Sequence, residues 1–427
     1  MCKYVKKVVL ITFIFGLGFI VSSLFNKSNN IYEEQEQKQI KKHVDTISMM
    51  LETEANSGNY EMTTRESWPT EGYVFNSELS VCEHGSELSW DDTKKTVLMS
   101  GNISDKCYVY FDVYMAPVLA DYVISQYNGV QGNNNIYHHD GTLENGINDG
   151  SYRYAGSSET TNNYVCFGTN TSPCPEDNLY RIIGVFGDQV KLIKYDYAAS
   201  NLLGSEGSTT KGIYVWSSLS SCPNDTTAYI KNDNVIRLSN TSIIGAASID
   251  GGCNEWKYST LNTVNLNINY LNNIGISWAN MIGDTTWKVS GYIKQEVTAS
   301  EMYTGEVTNA TKTYGPSDGT SKIGLMYISD YGFAAGPSAW ARMLSYNSGN
   351  GYESSAVTTI NWLYVGNSEW FLSPLSSTSG GVFYLNSATV GTTDAKLEML
   401  VRPVFYLKSS VIYKGGSGTQ SDPIRIN

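Results

Sequence analysis

Short runs in which apolar and β-branched residues are broken by Gly, Asn, Ser and Asp dominate the chain. Tyr180-Arg-Ile-Ile-Gly-Val-Phe186 and Gln189-Val-Lys-Leu-Ile-Lys-Tyr195 flank Gly187-Asp188. Glycine reaches positive φ without a steric cost, so this pattern predicts two strands joined by a tight turn. Between Asn361 and Leu407 lie three more runs, around Glu369-Trp-Phe-Leu, Gly381-Val-Phe-Tyr-Leu and Val401-Arg-Pro-Val-Phe-Tyr-Leu. Each is too short for a globular helix and reads as a strand that needs a distant partner. The expected partner is the Tyr180–Tyr195 hairpin, which would place Phe405, Leu407, Ile182 and Val185 in one core. Pro403 lacks an amide hydrogen and should mark an edge or a bulge.

Elsewhere the pattern changes period. Val8 to Phe25 is a stretch of 18 residues without charge, preceded by Lys3, Lys6 and Lys7. As a helix it would span about 27 Å, close to a bilayer core, with the basic flank inside. A membrane anchor and a cleaved signal both fit residues 1–30. In 31–58, Ile40, Val44, Ile47 and Leu51 fall four, three and four apart, the stripe of an amphipathic helix. Such a helix would form a stalk and could self-associate. Residues 60–116 read as a small β module, with a hairpin at Glu87–Met99 and a strand at Lys106–Asp112 that puts Tyr108, Tyr110 and Asp112 on one face. From residue 117 to 427 one large domain is expected, with its core at about 150–427. A helix begins near Pro117, and another carries Leu261, Val264, Ile268 and Leu271, with Ser259 as its cap and Gly275 as its stop. Ile323–Asp330 reads as a strand and Pro337–Leu344 as a short helix.

Composition narrows the function. Lys and Arg number 29 against 41 Asp and Glu, a net charge of −12. No basic block lies beyond the first seven residues, so nucleic acid, whose affinity comes from phosphate neutralisation, is not an expected partner. Of seven Cys, six (Cys82, Cys107, Cys166, Cys174, Cys222, Cys253) follow the apolar stretch. An even number beyond an export signal points to disulfides, expected between sequence neighbours, with six reduced thiols as the alternative.

Several strings together resemble a family of uncharacterised surface proteins from low-GC Gram-positive and wall-less gut bacteria: Ser151-Tyr-Arg-Tyr-Ala-Gly, Tyr164-Val-Cys-Phe-Gly, Asn178-Leu-Tyr-Arg-Ile-Ile-Gly-Val-Phe, Gly324-Leu-Met-Tyr-Ile-Ser-Asp-Tyr-Gly, Glu369-Trp-Phe-Leu-Ser-Pro, and Val401-Arg-Pro-Val-Phe-Tyr-Leu-Lys with Gly415-Gly-Ser-Gly-Thr. The resemblance covers residues 150–427. It implies a large domain similar to C-type-lectin-like and formylglycine-generating-enzyme-like folds. Some relatives carry a pilin-like N-terminus, but this chain has no Gly-Phe-Thr-Leu-Ile-Glu processing sequence.

Candidate chemistry is sparse. Gly204-Ser-Glu-Gly-Ser-Thr-Thr-Lys-Gly lacks phosphate-loop spacing. His138-His139-Asp140 offers metal-ligand residue types, but neighbouring side chains on a strand face opposite ways, and no metal or cofactor is expected. The Glu-Pro-Asn and Gln-Pro-Asp loops of calcium lectins are absent, and no Cys follows Cys253 to serve formylglycine chemistry. Trp340, Trp362 and Trp370, with Tyr331 and Arg402, are the candidate ligand platform; the alternative is that they pack the core, with Arg402 paired to Asp330 or Glu369. The sequence thus predicts an α+β protein: a transmembrane helix and helical stalk, a small disulfide-stapled β module, and a large C-type-lectin-like α+β domain. Its expected role is non-enzymatic, extracellular, membrane-anchored binding or adhesion toward a glycan or protein. A pilin-like filament subunit and a cell-surface hydrolase are the alternatives.

Overall fold

The computed structural model describes residues 38–39, 47–210, 212–223, 229–231, 235–237, 252–291, 296–318, 321–345, 351, 359–376 and 380–427. The chain divides into two compact units, 1–115 and 116–427. Among the described residues strand accounts for 34% and helix for only 19%, which corrects the α+β and lectin-like expectation: sheet predominates there and helices are few. Among the described residues no helix is long and apolar enough to cross a membrane, and Val8–Phe25 lies outside them.

In the small unit the strands are β1 (Lys38–Gln39), β2 (Ile47–Glu52), β3 (Tyr60–Thr63), β4 (Tyr73–Cys82), β5 (Glu87–Asp91), β6 (Thr96–Ser100) and β7 (Cys107–Val113). They form two sheets, ordered β3-β2-β7-β4 and β1-β6-β5. The inner faces share a core of Ile47, Met49, Val97, Met99, Val109 and Phe111 around the Cys82–Cys107 disulfide. The helical stalk is therefore corrected at its described end. Ile47 and Leu51 are four apart, a spacing that is also even, and Met49 between them is fully buried, as in a strand of period two. Gly58 turns β2 into β3 instead of ending a helix, and Glu52 fixes that turn by accepting the Gly58 and Val113 amides at 3.1 and 2.9 Å. Tyr108, Tyr110 and Asp112 alternate with the buried Val109 and Phe111, and Asp112 accepts from Tyr60 and Asn76.

The large unit is built on β8 (Ile136–Asp140), β9 (Asn148–Tyr154), β10 (Tyr164–Cys166), β11 (Leu179–Phe186) and β12 (Gln189–Lys194). Antiparallel β11 and β12 are joined at Gly187, whose φ is 63°, with Phe186 opposite Gln189. Strand Val404–Tyr406 completes the sheet against β12, pairing Lys191, Leu192 and Ile193 with Tyr406, Phe405 and Val404. Phe405, Leu407, Ile182 and Val185 are all buried in one core. A second sheet comprises Glu369–Pro374, Gly381–Asn386 and Thr389–Asp394. Disulfides Cys166–Cys174 and Cys222–Cys253 join sequence neighbours, like the bridge in the small unit.

Two local expectations change. Ile323–Asp330 is not a strand: only Gly324 bridges Val404, and Ile328–Ala334 is helical. Helix Leu261–Tyr270 forms with a π pitch, i to i+5, so the buried positions become Leu261, Leu266 and Tyr270 and Ile268 turns outward. Pro337–Leu344 reduces to a single turn, Pro337–Ala339.

Candidate ligand groove and the charges behind it

A short helix, Ala299–Tyr303, starts where the Thr298 hydroxyl accepts the Glu301 amide at 3.4 Å while the Glu301 carboxylate accepts the Thr298 amide at 2.8 Å. This reciprocal cap fixes the entry angle of the helix. The chain continues as a wide turn, Thr304–Thr308. Opposite it runs Gly146-Ile-Asn148, which leads into β9. Between them lies an open groove of about 320 Å³ lined by Ile147, Asn148, Ser300, Glu301, Tyr303 and Thr308, with Gly146 and Thr304. Its walls offer hydroxyls, an amide, a carboxylate and one aromatic ring.

Behind Tyr303 the wall becomes ionic. Burial, then the Asp149 charge, pushes the Tyr303 pKa up, so it stays a neutral phenol. Burial alone would raise Asp149, but the Arg153 guanidinium at 2.8 Å and the Ser151 hydroxyl and amide hold it down at about 2. Arg153, 3% exposed, also reaches Asp330 at 3.3 Å, and Asp330 accepts from Lys191 at 2.5 Å. Two cations thus face two anions in the interior. His139, fully buried beside this group, accepts the Ile147 amide on Nδ1 at 3.3 Å; its Nε2 has no polar partner among the described residues and lies among Phe333 and Trp340. Burial, then the Arg153 charge, lowers its pKa to about 3, so it stays neutral. His138 faces the other way and stacks on Tyr152 at 4.1 Å. Among the described residues no three His, Cys, Asp or Glu side chains gather as a metal site.

The five residues of the expected platform are all in the core. Trp340, Trp362 and Trp370 donate their indole N–H to the carbonyls of Ala335, Tyr154 and Tyr214 at 2.8, 2.8 and 2.7 Å. Tyr331 donates to Ala388 at 2.8 Å. Arg402 grips Glu369 with two bonds of 2.7 and 2.6 Å and donates to Leu363 at 2.7 Å. None is more than 2% exposed, so they present no surface to a ligand. The platform is corrected to core packing, because each polar tip is already satisfied by backbone or by Glu369. The groove escaped sequence reading because its two walls are about 150 residues apart and neither carries a motif.

No protein-family model, no curated protein and no solved structure matches the chain.

Proposed function

We propose that this chain is an exported, non-enzymatic binding protein that holds a neutral, hydroxyl-rich ligand of the saccharide class in the 146–148/300–308 groove. Export is supported by three disulfides, which persist in oxidising surroundings, and by the Lys-flanked apolar stretch at the N-terminus. The observation that carries the ligand class is the lining itself: Asn148, Ser300, Glu301, Tyr303, Thr304 and Thr308 give donors and acceptors around one aromatic ring. That combination satisfies hydroxyls while stacking on a sugar face. The groove carries no cation along its lining, which argues against phosphate or sulfate groups as the principal contact.

The test is a glycan array probed with the purified protein, followed by titration of any sugar retained. Asn148→Ala and Thr308→Ala each remove one polar contact and should weaken binding by roughly tenfold. Equal retention of the same sugars by both variants, singly and together, would refute the groove as the site.

A further inference from the structure

Lys191 occupies the middle of β12, between Val190 and Leu192, where the surroundings suit an aliphatic side chain. Its side chain is 1% exposed. The ammonium lies 4.5 Å from the ring centre of Tyr327, 5.4 Å from Phe186 and Tyr406, and 5.7 Å from Trp287. Its hydrogen-bond partner inside this cage of rings is Oδ2 of Asp330, at 2.5 Å. Asp330 is 2% exposed; its Oδ2 also accepts the Tyr327 amide at 3.0 Å, and its Oδ1 faces Arg153 at 3.3 Å. Dehydrating both ions of such a pair is costly, and burial weakens the hold of the Lys191 amine on its extra proton.

A primary amine and a carboxyl held in contact, oriented by neighbours and shut off from water, meet the conditions for condensation. We propose that Lys191 and Asp330 join after folding as an intramolecular amide that ties β12 to helix Ile328–Ala334. A bond forms between Nζ and Cγ. The bond from Cγ to Oδ2 breaks, and Oδ2 leaves as water with two of the three ammonium protons. No electron is gained or lost and no co-reactant is needed. Oδ1, where Arg153 can stabilise developing negative charge, becomes the amide carbonyl oxygen. The product suits the site better than the ion pair does. One cation and one anion disappear together, and Arg153 keeps Asp149 at 2.8 Å, so the remaining charges still balance.

Peptide mapping of the native full chain by mass spectrometry tests this directly. The expected result is a branched peptide containing Lys191 and Asp330, lighter than its two arms by one water and resistant to cleavage after Lys191. Lys191→Arg keeps a cation but lacks the nucleophile and should give two unbranched peptides of full mass. Recovery from the native protein of a linear peptide ending at Lys191, with the Asp330 peptide at full mass, would overturn the proposal whether or not any variant folds.

Discussion

Replacing Arg402 by Met should expose what a buried charge costs here. In the native protein Glu369, 1% exposed, holds its charge through two short bonds to Arg402. Methionine fills similar space and offers no donor. Glu369 would then have to stay ionised without its partner or take up a proton, and burial, which already raises its pKa from 4.5 despite the guanidinium, favours the proton. Protonation at pH 7 of a carboxyl that titrates near 4.5 when unfolded costs about 1.4 kcal/mol per pH unit, or about 3 kcal/mol. This agrees with the roughly 3–5 kcal/mol lost when one member of a buried pair is removed. The sign is fixed: the raised folded-state pKa makes the variant's deficit small near pH 4.5 and larger as pH rises. Urea denaturation of wild type and Arg402→Met, followed by tryptophan fluorescence from pH 5 to 8, measures this difference. Adding Glu369→Leu removes the stranded acid and should recover most of the loss and flatten its pH dependence. A deficit that is under about 1 kcal/mol at pH 7, or that does not change with pH, would refute the reasoning.

Two further outcomes are expected. Glu306 is fully buried, accepts the Ile328 and Ser329 amides at 2.8 and 3.0 Å, and is raised by burial to about 7, so wild type should lose stability relative to Glu306→Gln as pH rises toward and through 7. Paired urea melts from pH 5 to 8.5 that differ by a constant amount would count against it. Truncation after Ala395 removes Val401, Val404, Phe405 and Leu407, each worth about 1.5–3 kcal/mol of burial, a sum comparable to the roughly 5–15 kcal/mol stability of a domain. The large unit should then lose its cooperative melt and near-ultraviolet circular dichroism, and retention of both would show the C-terminal strands to be peripheral.

Legibility in the sequence followed the range over which each signal acts. The Gly187 hairpin is local in composition and turn chemistry, and the Val404–Tyr406 strand announced itself as an apolar run with no neighbour to cover it. Disulfide pairing between neighbours was legible for the same reason of short separation. Periodicity misled where two periods coincide, as at Ile47 and Leu51. It also misled where amides do the work of apolar groups. In helix Leu261–Tyr270, Asn262 and Asn265 are buried, the Asn265 amide donates to Leu203, and the Asn267 amide donates to Ile323, so a polar letter stood for an interior position. The groove was illegible because sharing of a wall by Asn148 and Thr308 is a property of the tertiary fold alone.

The failure of the aromatic platform has a physical cause that reaches beyond those five residues. Trp and Arg side chains are donors without acceptors. Sheet ladders use up most of their own carbonyls, but strand ends and the irregular segments beside them leave carbonyls that must find donors away from water. Arg181 illustrates the demand: buried among neutral partners, it donates to the Thr161 and Trp362 carbonyls at 2.8 and 3.3 Å, and to Asn163 and Ser158 at 2.6 and 2.7 Å. Burial lowers its pKa to about 10, which still leaves it charged at neutral pH. Its guanidinium lies 4.2 Å from the Tyr164 ring and 4.7 Å from Trp362, so aromatic faces supply part of the attraction that a carboxylate would otherwise give. Trp362 in turn donates to Tyr154, and Arg402 to Leu363, one residue further along the same loop. A cluster of Trp and Arg in a loop-rich β protein therefore has two origins, an exposed recognition surface or a buried set of carbonyl partners, and residue type alone does not separate them. What separates them is whether carbonyls outside the inner ladder lie within reach: where Trp and Arg lie against strand ends such as Tyr154 and Tyr214, or against irregular backbone, the carbonyls claim them first.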